Sequence, residues 1–202
     1  MLDRYATALI KPGIDAIAKR LARAGVRADQ LTVLAFGLGI FAAFLIAVRA
    51  YSAGVLLILV SRLCDALDGA VARQTAATDA GGFLDITLDF LFYASIPLAF
   101  AVAAPRANAL PAAALLAAFI GTGSSFLAYA ALAAKRGTPA STQYPHKSLY
   151  YLGGWTEATE TLVFFVAMCL WPRFFPQLAY IFAALCCVTT ATRIYAGWRD
   201  LK

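Results

Sequence analysis

Three stretches of about 18 or more residues without a charge, inside 31–48, 110–134 and 174–197, constrain this chain more than any other feature. Each is long enough to cross the hydrocarbon of a bilayer. There no water pairs the backbone, so the segment must be a helix or part of a closed barrel. Three further apolar runs, 53–73, 82–104 and 148–171, are interrupted by acidic or basic residues and bring the expected spans to six. Composition agrees, with 62% hydrophobic and only 14% charged residues, far from the balance of a soluble domain. The expected fold is all-α: an integral membrane bundle of six transmembrane helices preceded by an N-terminal interfacial amphipathic helix. Residues 1–26 would be the interfacial helix and 27–202 the bundle, in one membrane domain, 1–202.

In 1–26 the apolar positions Ile14, Ile17, Ala18 and Leu21 share one helical face, with Lys19, Arg20 and Arg23 mostly off it. Pro12 and Gly13 are expected to break this helix from a shorter segment around Tyr5 and Leu9. No removable signal peptide is expected, because charges fall early and no clear cleavage site follows. Asp29 or Thr32 can cap the first span. The four cysteines, Cys64, Cys169, Cys186 and Cys187, lie in or beside apolar segments without C-x-x-C spacing, which indicates neither a disulfide framework nor zinc.

The net charge of +6 is explained by orientation and contact with anionic lipid head groups rather than by nucleic acid. Six spans put both termini on one side. With that side cytoplasmic, thirteen Lys and Arg face the cytoplasm and three, Arg49, Arg106 and Arg173, the other side, with Arg62 inside a span. The positive-inside rule therefore favours cytoplasmic termini.

Between the second and third spans runs DALDGAVARQTAATDAGGFLDITLD, residues 65–89, with three glycines and five acids, four of them, Asp65, Asp68, Asp85 and Asp89, at helical spacings. Acids in a membrane segment are expensive and mark function by default. Asp65, Asp68, Gly69 and Ala72 form one stripe, and Gly81, Asp85 and Asp89 a second. Two antiparallel helices joined by a short polar loop should be neighbours, so that four carboxylates converge in a shallow cytoplasmic pocket. Oxygen-only ligation favours Mg²⁺ or Mn²⁺ over zinc. Such ions complete their shells with substrate phosphates, and two of them can stabilise both oxygens of a displacement. Gly69 and Gly81 leave room for a bulky ligand, which together with the metal points to a diphosphate-bearing nucleotide. A polar pore lining or an acidic helix end leaves those glycines unexplained.

This stretch closely resembles the signature of the CDP-alcohol phosphotransferase (CDP-alcohol phosphatidyltransferase) family, D-x-x-D-G-x-x-A-R, a spacer, then G-x-x-x-D-x-x-x-D. Eight positions match: Asp65, Asp68, Gly69, Ala72, Arg73, Gly81, Asp85 and Asp89. The spacer, Gln74 to Ala80, has seven residues where the family usually has eight, a tolerated kind of loop change. The resemblance implies a homodimeric enzyme of phospholipid biosynthesis in a bacterial inner membrane. It would use Mg²⁺ or Mn²⁺, as two ions, to transfer a substituted phosphoryl group from a CDP-linked donor to a small polar alcohol, releasing CMP. CDP-diacylglycerol is the expected donor, since a lipid donor explains a site at the bilayer interface. By the same resemblance Asp65, Asp68, Asp85 and Asp89 hold metal, and Asp89 is the base. Asp68, Gly69, Ala72, Arg73 and Gly81 would meet the nucleotide.

Outside the signature, Arg62 suits an intrahelical pair with Asp65 as well as a ligand role. Lys135, Arg136 and Arg193 are candidates to hold an anionic acceptor, though the loop 135–147, with His146, could equally meet lipid. Glu157 and Glu160 opposite Arg193 suggest a buried ion pair or an acceptor pocket, and Gly121 to Ser125 close helix packing. Two alternatives compete. A membrane prenyl-diphosphate transferase shares Asp-rich magnesium sites but not the D-G-x-x-A-R continuation. A cation-binding or transport protein would need polar residues along a pathway.

Overall fold

The computed structural model describes residues 3–136 and 156–202, with side chains from Ile10 onward, and every regular element among them is helical. The elements are α1 (Asp3–Arg23), α2 (Ala28–Ala47), α3 (Tyr51–Gln74), α4 (Asp79–Ala103), α5 (Pro105–Lys135), α6 (Ala158–Leu170), a 3-10 turn (Pro172–Phe174) and α7 (Phe175–Asp200). Among the described residues four stretches are long and apolar enough to cross a membrane: α2, α4, α5, and the 3-10 turn with α7. Large apolar side chains such as Leu98, Leu110, Ile120 and Ile194 lie on the outer surface. In water that surface would be a liability, whereas against lipid tails it carries no penalty.

The inner faces meet in an aromatic core. Phe92, Phe100, Phe165, Phe175 and Phe182 are fully buried, with Ile46, Ile58 and Ile96 between them. Phe100 stacks on Phe175 at 4.4 Å and Phe164 on Phe182 at 4.4 Å. A smaller cluster joins Ile14 and Ala18 of α1 to Leu31 of α2 and to Leu67, Ala70 and Val71 of α3. Lys19, Arg20 and Arg23 are exposed, and so is Ile17, which the helical face predicted to be with Ile14. The expected break at Pro12 and Gly13 does not occur, and α1 runs through both. Proline removes a single backbone donor, and the docking of Ile14 and Ala18 one turn later holds the helix past it.

Helix starts also differ from expectation. Neither Asp29 nor Thr32 caps α2. The cap residue is Arg27, whose amide donates to the Gln30 side chain at 3.0 Å, while Thr32 lies inside the helix with its hydroxyl on the Ala28 carbonyl. The fifth apolar run, expected from 148, is helical only from Ala158 among the described residues. Glu160 accepts a hydrogen bond from the Glu157 amide at 3.2 Å, the reach-back of a capping box, and this starts the helix there. The Thr156 amide and hydroxyl both meet the Thr189 hydroxyl of α7, which ties this start to the bundle.

The helix order places α2 between α3 and α4. Both pack their backbones along α2, while α3 and α4 face each other across a cleft and meet there through side chains, as the expected convergence of their acids requires. A short loop limits only how far apart the joined ends lie. Apolar small residues on α2, Ala35, Gly39, Ala42 and Ala43, make the better packing surface for the two acid-bearing helices. At the other end of the bundle Arg49 closes α2 in a left-handed turn, φ 66°, with the Ala50 amide reaching back to the Leu45 carbonyl. Its guanidinium donates to the Ala103 carbonyl at 2.7 and 3.0 Å, fastening the α2–α3 turn to the end of α4.

Close approach of α2 and α4 requires glycine at position 39, where an added Cβ would stand 2.5 Å from the Phe92 ring and 3.2 Å from the Ser61 hydroxyl. Gly39→Ala should therefore lower the thermal midpoint in detergent by several degrees, since overpacking costs about 1–3 kcal/mol. Thr78 caps α4 by accepting from the Gly81 amide at 3.0 Å. Thr78→Ala should cost about 1 kcal/mol, read as a smaller fall in the same midpoint.

Candidate metal and nucleotide site

At one end of the bundle the cleft between α3 and α4 collects the signature residues. The face of α3 opposite α1 carries Asp65, Asp68, Gly69 and Ala72, because Leu67, Ala70 and Val71 are taken by the core. From α4, Asp85 and Asp89 face the same cleft one turn apart. One carboxylate oxygen each from Asp65, Asp68 and Asp85 lie within 4.8 Å of one another. The helices thus stay apart while their acidic side chains meet.

That convergence needs compensation. Two carboxylates about 4 Å apart repel by about 4 kcal/mol at an effective dielectric constant of about 20. Asp68 is buried, 5% exposed, and its Oδ2 has no hydrogen-bond partner, an arrangement expensive for any polar atom and more so for a charged one. Three converging oxygen donors, from carboxylates of which one keeps an orphaned oxygen, fit a hard divalent cation. The donor set contains no imidazole or thiolate; Cys64 on the same helix is not part of the cluster.

Asp89, the fourth expected ligand, is not in that group. Its Oδ1 accepts from Arg62 Nη1 at 2.6 Å, and the same nitrogen lies 3.3 Å from Asp65 Oδ1. Arg62 is 11% exposed. Its guanidinium lies over the Phe92 ring at 3.9 Å, and Nη2 donates to the Ser61 hydroxyl at 3.2 Å. Ser61 is itself fully buried and donates to the Ala35 carbonyl at 2.7 Å. The Arg62–Asp65 pair was legible from their spacing of three; the bond to Asp89, 27 residues on, was not.

The two signature glycines differ. A Cβ at Gly69 would meet only the Arg73 guanidinium, at 3.4 Å, so no packed neighbour demands glycine there. A Cβ at Gly81 would meet Asp29 Oδ1 at 3.0 Å and the Thr78 hydroxyl at 3.1 Å. Asp29, which sequence reasoning assigned to a helix cap, thus stands at the rim of the cleft beside the start of α4. Its spacing carried no signal for that place. Ala72 is half-buried and Arg73 exposed.

The expected acceptor residues lie on α5 and α7. Lys135 and Arg136 are exposed at the end of α5. Arg193 is buried between α7 and α5, donating to the Thr122 carbonyl at 3.1 Å, with its guanidinium 5.8 Å from the Phe126 ring. Gly121 and Gly123 do serve packing, the first against Thr190 of α7 and the second against Phe90 of α4. His146 and most of the 135–147 loop fall outside the described residues. Among the cysteines, Cys169 and Cys186 are buried and Cys187 is exposed.

Comparison with known proteins places this geometry. Residues 26–192 match the CDP-alcohol phosphatidyltransferase family. The chain is 52% identical over its full length to inner membrane protein YnjF of Escherichia coli (strain K12), covering 98% of that protein. It is 36% identical over 88 residues to the archaetidylinositol phosphate synthase of Pyrococcus horikoshii, 43% of this chain and 47% of that one. Among solved structures, the Mycobacterium tuberculosis phosphatidylinositol phosphate synthase PgsA1 with CDP-DAG bound has the same fold. Its TM-score is 0.72 over 92% of this chain and 93% of that one, at 21% identity. The same synthase in complex with manganese and citrate gives 0.71 at 22% identity, covering 92% and 88%. The chain belongs to the CDP-alcohol phosphatidyltransferase family and is an integral membrane phosphotransferase.

Proposed function

We propose that this protein transfers a phosphatidyl group from CDP-diacylglycerol to the hydroxyl of a small polar alcohol, releasing CMP, in phospholipid biosynthesis. The observation that carries this is the meeting of Asp65, Asp68 and Asp85 in a cleft beside Gly69, where a ligand has room to approach the helix. The solved relative described as having CDP-DAG bound shares the fold and supports that donor. A lipid-linked nucleotide also suits a site at the end of apolar helices. We place it on the cytoplasmic side of an inner membrane, in a homodimer with both termini cytoplasmic. In that arrangement α2 to α7 supply six membrane helices and α1 lies along the interface.

Asp65, Asp68 and Asp85 would hold Mg²⁺ or Mn²⁺; manganese is named for one relative. Bound there, a divalent ion would draw negative charge off the diphosphate and ease departure of CMP. Asp68, Gly69, Ala72, Arg73 and Gly81 would line the nucleotide. The acceptor oxygen attacks the phosphorus that bears the diacylglycerol, the bond from that phosphorus to the CMP oxygen breaks, and Asp89 takes the acceptor proton. Lys135, Arg136 and Arg193 remain candidates for the acceptor side. Arg193 would serve there through its place at the α5–α7 seam. Asp89, whose Oδ1 accepts from Arg62, is the fourth expected ligand, for a second ion.

Purified protein with Mn²⁺, CDP-diacylglycerol and a panel including glycerol phosphate, serine and inositol phosphate should release CMP with one acceptor. Asp89→Asn should lower that rate about 10²-fold or more, the usual contribution of a positioned base. Chelation of divalent ions should abolish the reaction and readdition restore it. Release of CMP that survives chelation, or that is the same in wild type and Asp89→Asn for every acceptor, would sink the assignment.

A further inference from the structure

We propose that α1 couples the charge of the bilayer surface to the acidic cleft: anionic phospholipid head groups hold α1 against α3, and the cleft keeps its shape and full rate only while they do. The rate rests on the transferase reading, whereas the seating of α1 stands apart from it. On its inner side α1 buries Ile14 and Ala18 against Leu31 of α2 and against Leu67, Ala70 and Val71 of α3. Those three α3 residues alternate with Asp65, Asp68, Gly69 and Ala72 over the same two turns. When α1 leaves this seat, it frees the back of the segment whose front carries two of the three converging carboxylates.

The outer side has a different character. Ile10 is 51% exposed and Ile17 44%, two turns apart on one line of the helix. Arg20 stands one turn beyond Ile17 and Arg23 one turn beyond Arg20, while Lys11 adjoins Ile10, and all three cations are exposed. What covers this edge follows from where α1 is held. After Arg23 the Val26 amide donates back to the Leu21 carbonyl and the Gly25 amide to the Ala22 carbonyl, both at 3.1 Å, with Gly25 at φ 80°. This closed turn leads directly into α2, which is long and apolar enough to cross a membrane, so α1 lies at the level where the hydrocarbon begins. An apolar edge rimmed by cations at that level fits the boundary between acyl chains and phosphates. From Ile10 onward α1 has these three cations and the exposed Lys19 against one acid, the half-buried Asp15. A zwitterionic surface meets the isoleucines alone, and an anionic one meets the cations as well. The buried seat on α2 and α3 is small, so head groups that bind seated α1 shift its population.

The experiment uses full-length protein in nanodiscs of phosphatidylcholine alone or mixed with phosphatidylglycerol. Hydrogen exchange at residues 10–23 of α1 and 65–73 of α3 should be slower in the mixed discs, by about tenfold on α1. CMP release at saturating CDP-diacylglycerol should show kcat about threefold or more higher in the mixed discs, with little change in KM for the donor. The variant carrying Lys11→Gln, Arg20→Gln and Arg23→Gln should match wild type in phosphatidylcholine and lose most of the gain in the mixture, and added salt should shrink the wild-type gain. Ala18→Glu, which unseats α1, should be slow in both lipids; if it does not fold, the charge variant still decides. Equal exchange in the two lipids would overturn the proposal, as would a charge variant that keeps the full response. A charge variant whose donor KM rises in phosphatidylcholine would also overturn it, because its cations would then hold the donor. So would protection of α1 that follows protein concentration in detergent rather than lipid charge, since a second copy of the chain would then cover this edge. Lipid-dependent exchange on both helices in a protein that releases no CMP with any acceptor supports the coupling and defeats the transferase reading alone.

Discussion

Carboxylates gathered at the end of an apolar bundle repel one another, and in a low-dielectric setting that repulsion would spread the helices that carry them. Here a single guanidinium sits between two of the four acids, with an aromatic ring beneath it and a buried hydroxyl at its side. The other two, Asp68 and Asp85, leave an orphaned oxygen at Asp68. Partial compensation of this kind separates the site into two regions. One is already paired and oriented, and the other is short of positive charge. A divalent ion held by oxygen ligands fits the second region.

The frame that presents these groups is built away from them. Helix α2 stands between α3 and α4 and packs against both, through small residues that let the helices approach and through Gly39, which admits the Phe92 ring. At the far end Arg49 fastens the α2–α3 turn to α4, and Asn108 donates to the Phe100 carbonyl to start α5. Helix α1 braces the acidic end of α3 from behind through Ile14 and Ala18. Each tie restricts the separation of α3 and α4, and that separation sets how closely their carboxylates approach.

Helix periodicity made much of this readable. Asp65, Asp68, Gly69 and Ala72 share a face because a helix repeats every 3.6 residues, and no tertiary information is needed to see it. The long uncharged runs likewise located α2, α5 and α7. Local capping was less legible. Gln30 rather than Asp29 closes the start of α2, and Glu160 sets the start of α6 ten residues later than the apolar run suggested. Several residues near each boundary could cap, and packing chooses among them.

What the amino-acid order determined by itself was an apolar helical chain with two acidic stripes of family-specific spacing, since spacing along a helix is a local property. Only the tertiary structure decided which acids meet. Asp89 has the same one-turn relation to Asp85 that Asp68 has to Asp65, yet it bonds to an arginine 27 positions earlier and stays outside the group of three. The partner of a charge in a bundle depends on how neighbouring helices are rotated and spaced. Here α2, a helix that contributes none of the four carboxylates, sets that spacing.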